Sequence, residues 1–150
     1  MAKRKFLDEK FFRQLAKDVI PMYRRHIFLD EKDIDDNNFP NYKEPYKTLK
    51  ATNQLPRQDA ASAGKKSPYV TGDLMKDFKK IKIGNDRFEF GTTSYGGRVK
   101  KLAKQKRVIS KDTKALPDKI GKFVMKSAVK YAFDEVLKKE IKGKTIRIKL

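Results

Sequence analysis

The chain has 150 residues with 38 Lys and Arg against 19 Asp and Glu, a formal net charge of +19. That length allows one domain with a real core and leaves little for a second. Zero cysteines exclude disulfides, thiolate catalysis and sulfur-ligated zinc.

No apolar run approaches the roughly 18–20 residues that cross a bilayer, and the start, Met1 to Asp8, turns charged before a signal-peptide core can form. A soluble, unsecreted chain with no membrane partner is expected. The charge is uneven. Residues 1–75 carry 15 basic and 11 acidic side chains, a net +4, whereas residues 76–150 carry 23 and 8, a net +15. Such a field favours an anionic partner, whether nucleic acid, an acidic protein surface or a charged membrane, and does not by itself say which.

From Asp8 to about Phe28 the apolar residues Phe12, Leu15, Val19, Tyr23 and Ile27 recur at spacings of three and four, which predicts an amphipathic helix. Pro21 lacks an N–H and crowds the preceding turn, so a kink is expected there. Residues 29–67 lose that periodicity and carry Pro40, Pro45, Pro56 and an Ala/Ser/Gly stretch at 60–64. This predicts a long loop arm, its first part pinned by Phe39, Tyr42 and Tyr46 and its small-residue part swinging, with a short helix near Glu44–Ala51.

Thr71 or Asp73 is placed to cap a helical turn through Leu74 and Phe78. A β-hairpin follows: Ile81 and Ile83 alternate with Lys80 and Lys82, Phe88 and Phe90 with Arg87 and Glu89. Gly84-Asn85-Asp86 forms the turn, where Gly and Asn accept positive φ. The expected apolar face is Ile81, Ile83, Phe88 and Phe90. Gly96-Gly97 is expected to break the chain before a basic segment, Arg98, Lys100, Lys101, Lys104, Lys106 and Arg107, that contains no acid. Pro117-Asp118 opens a long helix to about residue 141, with Ile120, Val124, Ala128, Ala132 and Val136 on its apolar side, broadened by Phe123, Met125, Val129, Tyr131, Phe133 and Leu137, and a solvated ridge of Lys122, Lys126, Lys130, Asp134, Lys138 and Lys142. Thr145–Leu150 alternates again and is expected to add a third antiparallel strand.

No constellation points to catalysis or to a cofactor. Asp33, Asp35, Asn37 and Glu44 fall at positions one, three, five and twelve of a calcium loop, but Asn38 replaces its glycine and Pro40 interrupts it; a polar turn without metal is the favoured reading. Gly64-Lys65-Lys66-Ser67 lacks the first glycine of a phosphate loop and follows no strand. His26, the one histidine, sits in a helix with no paired nucleophile. The cluster Arg98 to Arg107 is the candidate contact for an anionic partner or DNA, by backbone binding without sequence readout.

The order of elements, with F-P-N-Y-K-E-P-Y, V-T-G-D-L-M-K-D-F and F-G-T-T-S-Y in sequence between an amphipathic first helix and a long last one, resembles the tailed-phage virion-morphogenesis family of tail-completion and head–tail-joining proteins. The resemblance spans roughly Val19 to Val136, and its motif turn is matched by Thr71, Gly72, Asp73, Leu74, Gly91, Thr92 and Tyr95. It implies an α+β subunit that assembles as a homo-oligomeric ring in the virion, at the neck or the head-proximal end of a tail, against neighbouring connector, portal or tail proteins. Segments loosely packed in the free subunit would then order on assembly.

The sequence is therefore read as one α+β domain, residues 1–150: a three-stranded antiparallel sheet packed against an N-terminal helix and a long C-terminal helix, with the loop at 29–67 carrying subunit-interface candidates Phe39, Tyr42 and Tyr46. Lumen-facing lysines would meet packaged DNA. The alternative is a nonspecific basic nucleic-acid-binding module.

Overall fold

Asp8 starts the first helix. Its carboxylate accepts a hydrogen bond from the Phe11 amide at 2.9 Å and caps α1, Glu9–Arg24. The periodic stripe predicted for it is buried: Phe11, Phe12, Leu15, Ala16, Val19, Ile20 and Tyr23. Pro21 lies on the exposed side, and the helix runs through it rather than ending there. One wider π turn, Arg25–Leu29, follows and keeps His26, Ile27 and Phe28 buried in succession. The computed structural model describes residues 7–111 and 113–141.

The sheet is an antiparallel pair, β1 (Lys79–Ile83) with β2 (Phe88–Gly91), joined as predicted around Gly84-Asn85-Asp86. Two details differ from expectation. None of the three turn residues takes positive φ; the reversal is closed instead by the Gly84 amide donating to the Arg87 carbonyl at 2.9 Å. A bulge between Lys80 and Lys82 removes Ile81 from the pairing register and leaves it 54% exposed. The inward face is thus Ile83, Phe88 and Phe90, with Phe90 edge-on to Tyr23 at a centroid distance of 5.0 Å. The third strand expected over Thr145–Leu150 lies outside the described residues, among which the sheet has two strands.

Preceding the hairpin, α3 (Asp73–Asp77) starts at Gly72, whose φ of 82° suits glycine. The Thr71 hydroxyl accepts from the Asp73 amide at 3.2 Å, so the predicted cap residue assists from one position further out. Arg24 of α1 donates to the Phe78 carbonyl at 2.8 Å and to the Lys76 carbonyl at 3.1 Å, fixing the hairpin's entry to the first helix.

The last helix, α5 (Asp118–Ile141), starts at the predicted residue. Ile120 is buried, and Phe123, Val124, Ala128 and Tyr131 pack against the core. Tyr131 donates to Asp8 at 3.0 Å, so the carboxylate that caps α1 also holds α5. The apolar side is wider than the body beneath it. Met125, Val129 and Phe133 remain 66, 67 and 63% exposed, and Val136, expected inside, is exposed together with Leu137. Among the described residues no helix is long and apolar enough to cross a membrane.

The arm at 29–67 is packed, not swinging. Ile34 and Phe39 are core residues, Ile34 donates to the Val108 carbonyl at 3.0 Å, and α2 (Tyr46–Ala51) forms near its predicted place. The small-residue part folds into a 3-10 turn over Ala60–Ser62 capped by Asp59. Ser62 and Ser67 are fully buried, and the Ser67 hydroxyl donates to the Phe28 carbonyl at 2.7 Å. Ser62 and Ser67 are small enough to sit inside while their hydroxyls meet backbone carbonyls, of Asp59 and Phe28.

Candidate functional site

The basic segment is helical. Gly96-Gly97, expected to break the chain, instead begins α4 (Gly96–Lys104). The cause is Asp77 at the end of α3. Its buried carboxylate accepts from the Thr93 hydroxyl at 2.7 Å and from the amides of Thr93, Ser94 and Tyr95 at 2.9, 2.9 and 3.1 Å. Burial alone would raise its pKa, but these hydrogen bonds outweigh it and hold the carboxyl at about 2. The loop leading into α4 is thereby fixed. The motif residues divide along this clasp: Leu74 is buried, Gly91 pairs with Lys79, and the Tyr95 amide reaches Asp77. Asp73 lies 3.9 Å from Arg57, and Thr92 is half-buried beside the start of α4.

Leu102 turns inward from α4, leaving Arg98, Lys100, Lys101 and Lys104 exposed. Lys106 takes a left-handed φ of 59° and is exposed. Arg107 does not belong with them. It is 4% exposed, donating to the Pro40 carbonyl at 2.7 Å and the Lys66 carbonyl at 3.3 Å. Its guanidinium lies 3.7 Å from the centre of the Tyr42 ring. Arg107 is an internal tie, and its removal from the ligand-contact set corrects the sequence reading.

Tyr42 is the hub of that tie. Its ring also packs against Tyr46 at 4.7 Å, and its hydroxyl donates to the Ser67 carbonyl at 3.1 Å. Burial raises both phenols, Tyr42 to about 12, so both stay neutral near pH 7. The result is a cleft of about 890 Å³ between the Pro40–Glu44 segment, Tyr46 and α4. Tyr42, Tyr46, Arg98, Lys101, Lys104, Lys106 and Arg107 line it, whereas Lys100 does not and Phe39 is buried in the core. Two sequence-distant candidate groups therefore meet at one place. Among the described residues, none of the cations in the Arg98–Arg107 segment is paired with a carboxylate.

The acidic run is used locally. Asp33 accepts from the Asp35 and Asn37 amides at 2.8 and 2.9 Å, and Asp35 is bridged to Lys111 and Lys114, which lower its pKa. Glu44 is bound by the Thr48 amide and hydroxyl at 3.2 and 2.6 Å. His26 is buried, its Nε2 facing the Asp33 carbonyl and Asp36 at 3.2 and 3.3 Å. Among the described residues no group of three or more His, Cys, Asp or Glu side chains is placed to hold a metal ion.

Lys50 gave no signal in the sequence. It is 1% exposed, donates to the Ser67 carbonyl at 2.6 Å and sits 4.7 Å from the Tyr42 ring centre. Burial, reinforced by the nearby Arg107 charge, pushes its pKa from 10.5 down to about 8. Between those two values the unfolded chain holds a proton that the folded one has released, so stability rises with pH across that window. Wild type should therefore gain about 1 kcal/mol relative to Lys50→Met between pH 7 and 9.5, read by urea denaturation. A difference that stays flat with pH would show that the ammonium is not desolvated.

Comparison of the chain with protein-family models, curated proteins and solved structures finds no match.

Proposed function

We propose that this chain is a structural virion protein of a tailed phage: a ring-forming head–tail connector subunit, of the neck or tail-completion kind, that acts by protein–protein binding with no catalytic step. The observation that carries the reading is the bare apolar stripe on α5. Met125, Val129, Phe133, Val136 and Leu137 recur at helical spacing and stay exposed among the described residues. Val129 also borders an apolar cleft of about 480 Å³ lined by Leu7, Phe12, Ala128 and Ala132. Stripe and recess share Val129 and make one apolar surface of the kind that a subunit contact covers; the ring follows if that surface meets a different face of the next subunit and the rotation closes. Adjacent connector, portal or tail proteins would stack on that ring, with packaged DNA in its lumen.

The test is mass by light scattering at rising protein concentration, in about 0.5 M salt to screen charge-driven clumping. Wild type is expected to form a discrete ring-sized species. Val129→Glu with Phe133→Glu should weaken assembly by about a hundredfold, because each carboxylate would be buried at the contact. The melting temperature of the variant subunit should hold, since both positions are exposed. A wild type that remains monomeric throughout, or an assembly indifferent to both glutamates, would remove the proposal.

A further inference from the structure

Along the sequence no aromatic platform accompanies Arg98–Arg107, yet the fold supplies one. Tyr42 and Tyr46 stand in the same cleft as Arg98, Lys101, Lys104 and Lys106. We infer that this cleft binds single-stranded nucleic acid, taking phosphates on those four cations and an unpaired base against Tyr46. Such binding is a property of the isolated chain and does not rest on the connector reading.

Three observations converge. The cleft combines cations with aromatic rings, the pairing by which proteins hold single strands without regard to sequence. Tyr42 is already covered by Arg107 and Tyr46, so Tyr46, half-buried at the wall, is the ring left to meet a ligand. The acid in the lining, Glu44, stays ionised under the Thr48 hydrogen bonds but is outnumbered by Lys43, Arg98, Lys101, Lys104 and Lys106.

The shape decides the class of partner. A cleft of about 890 Å³ lies within the pocket range of about 300–1,000 Å³. It admits a nucleotide whose base has left the stack; a duplex keeps its bases inside and offers only outer phosphates to the rim. An acidic peptide fits less well. Bidentate carboxylate recognition favours arginine, and the guanidinium free for it is Arg98, Arg107 being internally bonded. Lysines act as point charges, which suits phosphate.

The experiment is fluorescence anisotropy on the full chain with a labelled thymidine strand of about ten nucleotides, a duplex of equal length, and poly-glutamate as competitor. Single strand is expected to bind tighter than duplex. Tyr46→Ala should weaken the single strand about tenfold. Tyr46→Leu keeps an apolar side chain at the wall and lacks the π face, and should weaken it similarly while melting as wild type. Lys101→Ala with Lys104→Ala should flatten the dependence of log affinity on log salt by about 1.4, at about 0.7 per phosphate released from contact. Equal affinity for strand and duplex, Tyr46→Leu binding as wild type, or displacement by poly-glutamate as readily as by unlabelled strand would each overturn the assignment.

Discussion

Arg107→Ala is expected to cost about 3 kcal/mol and to lower the melting temperature by about 6–12 °C, a core-sized effect from a residue in a surface-looking basic run. The side chain joins three stretches that have no ladder between them. It binds the Pro40 carbonyl before α2 and the Lys66 carbonyl after it, and covers the Tyr42 ring. Its loss leaves two carbonyls without this donor and opens space beside a stacked aromatic. Arg107→Lys should recover only part, because one ammonium cannot lie flat on the ring and reach both carbonyls. Lys101→Ala and Lys104→Ala, at exposed positions, should stay within about 0.5 kcal/mol of wild type. Urea and thermal unfolding compare the three directly. An Arg107→Ala variant as stable as the lysine variants would mean that the guanidinium does not hold this crossing together.

Asp77→Asn should cost about 2 kcal/mol, since the three amides would then meet a neutral amide oxygen in place of an ionised carboxylate. The effect should also be local. Hydrogen exchange at Thr93–Val99 is expected to accelerate more than in α1, because the clasp fixes the entry to α4. Acid gives an independent reading. The folded pKa of about 2 lies below the ordinary 3.8, so the contribution of Asp77 is complete above about pH 4 and lost as pH falls to about 2. Asp8, Asp35, Glu44 and Asp59 are lowered as well and add to the acid sensitivity of wild type. The wild-type advantage over Asp77→Asn should therefore shrink between pH 4 and pH 2. An advantage unchanged across that interval would assign the loss to packing and not to the charge.

What could be read from residues alone was whatever repeats. The stripe of α1 and the start of α5 belong to long periodic signals with a cap or proline at the start, and both were legible. The hairpin was legible as alternation, but Lys-Ile-Lys-Ile looks the same with or without a bulge, so the turning out of Ile81 left no trace. The pinning of the arm's first part by aromatic side chains was legible, but the packing of its small-residue part was not, because single side-chain ties hold this region: Ser67 to Phe28, Lys50 to Ser67, Arg107 to Pro40. None has a period. The start of α4 was hidden for a related reason. Two glycines signal a break in isolation, and only the carboxylate of Asp77, sixteen residues before Thr93 in the chain, fixes the loop that feeds them into a helix. The cleft combines both difficulties, since Tyr42 and Tyr46 meet the basic helix across the whole hairpin.

Asp8 makes two bonds that belong to different helices, one to the first turn of α1 and one to Tyr131 in the middle of α5. Tyr131 also packs on the core, its ring 5.1 Å from that of Phe11. Ten further residues extend to Ile141, about 15 Å at 1.5 Å per residue. Mechanically this is a lever with its fulcrum at Tyr131. A sideways load on that stretch reaches α1 at Tyr131 by two routes, the phenol on the Asp8 carboxylate and the ring on Phe11, so tension on the last helix is felt in the first turn of the first.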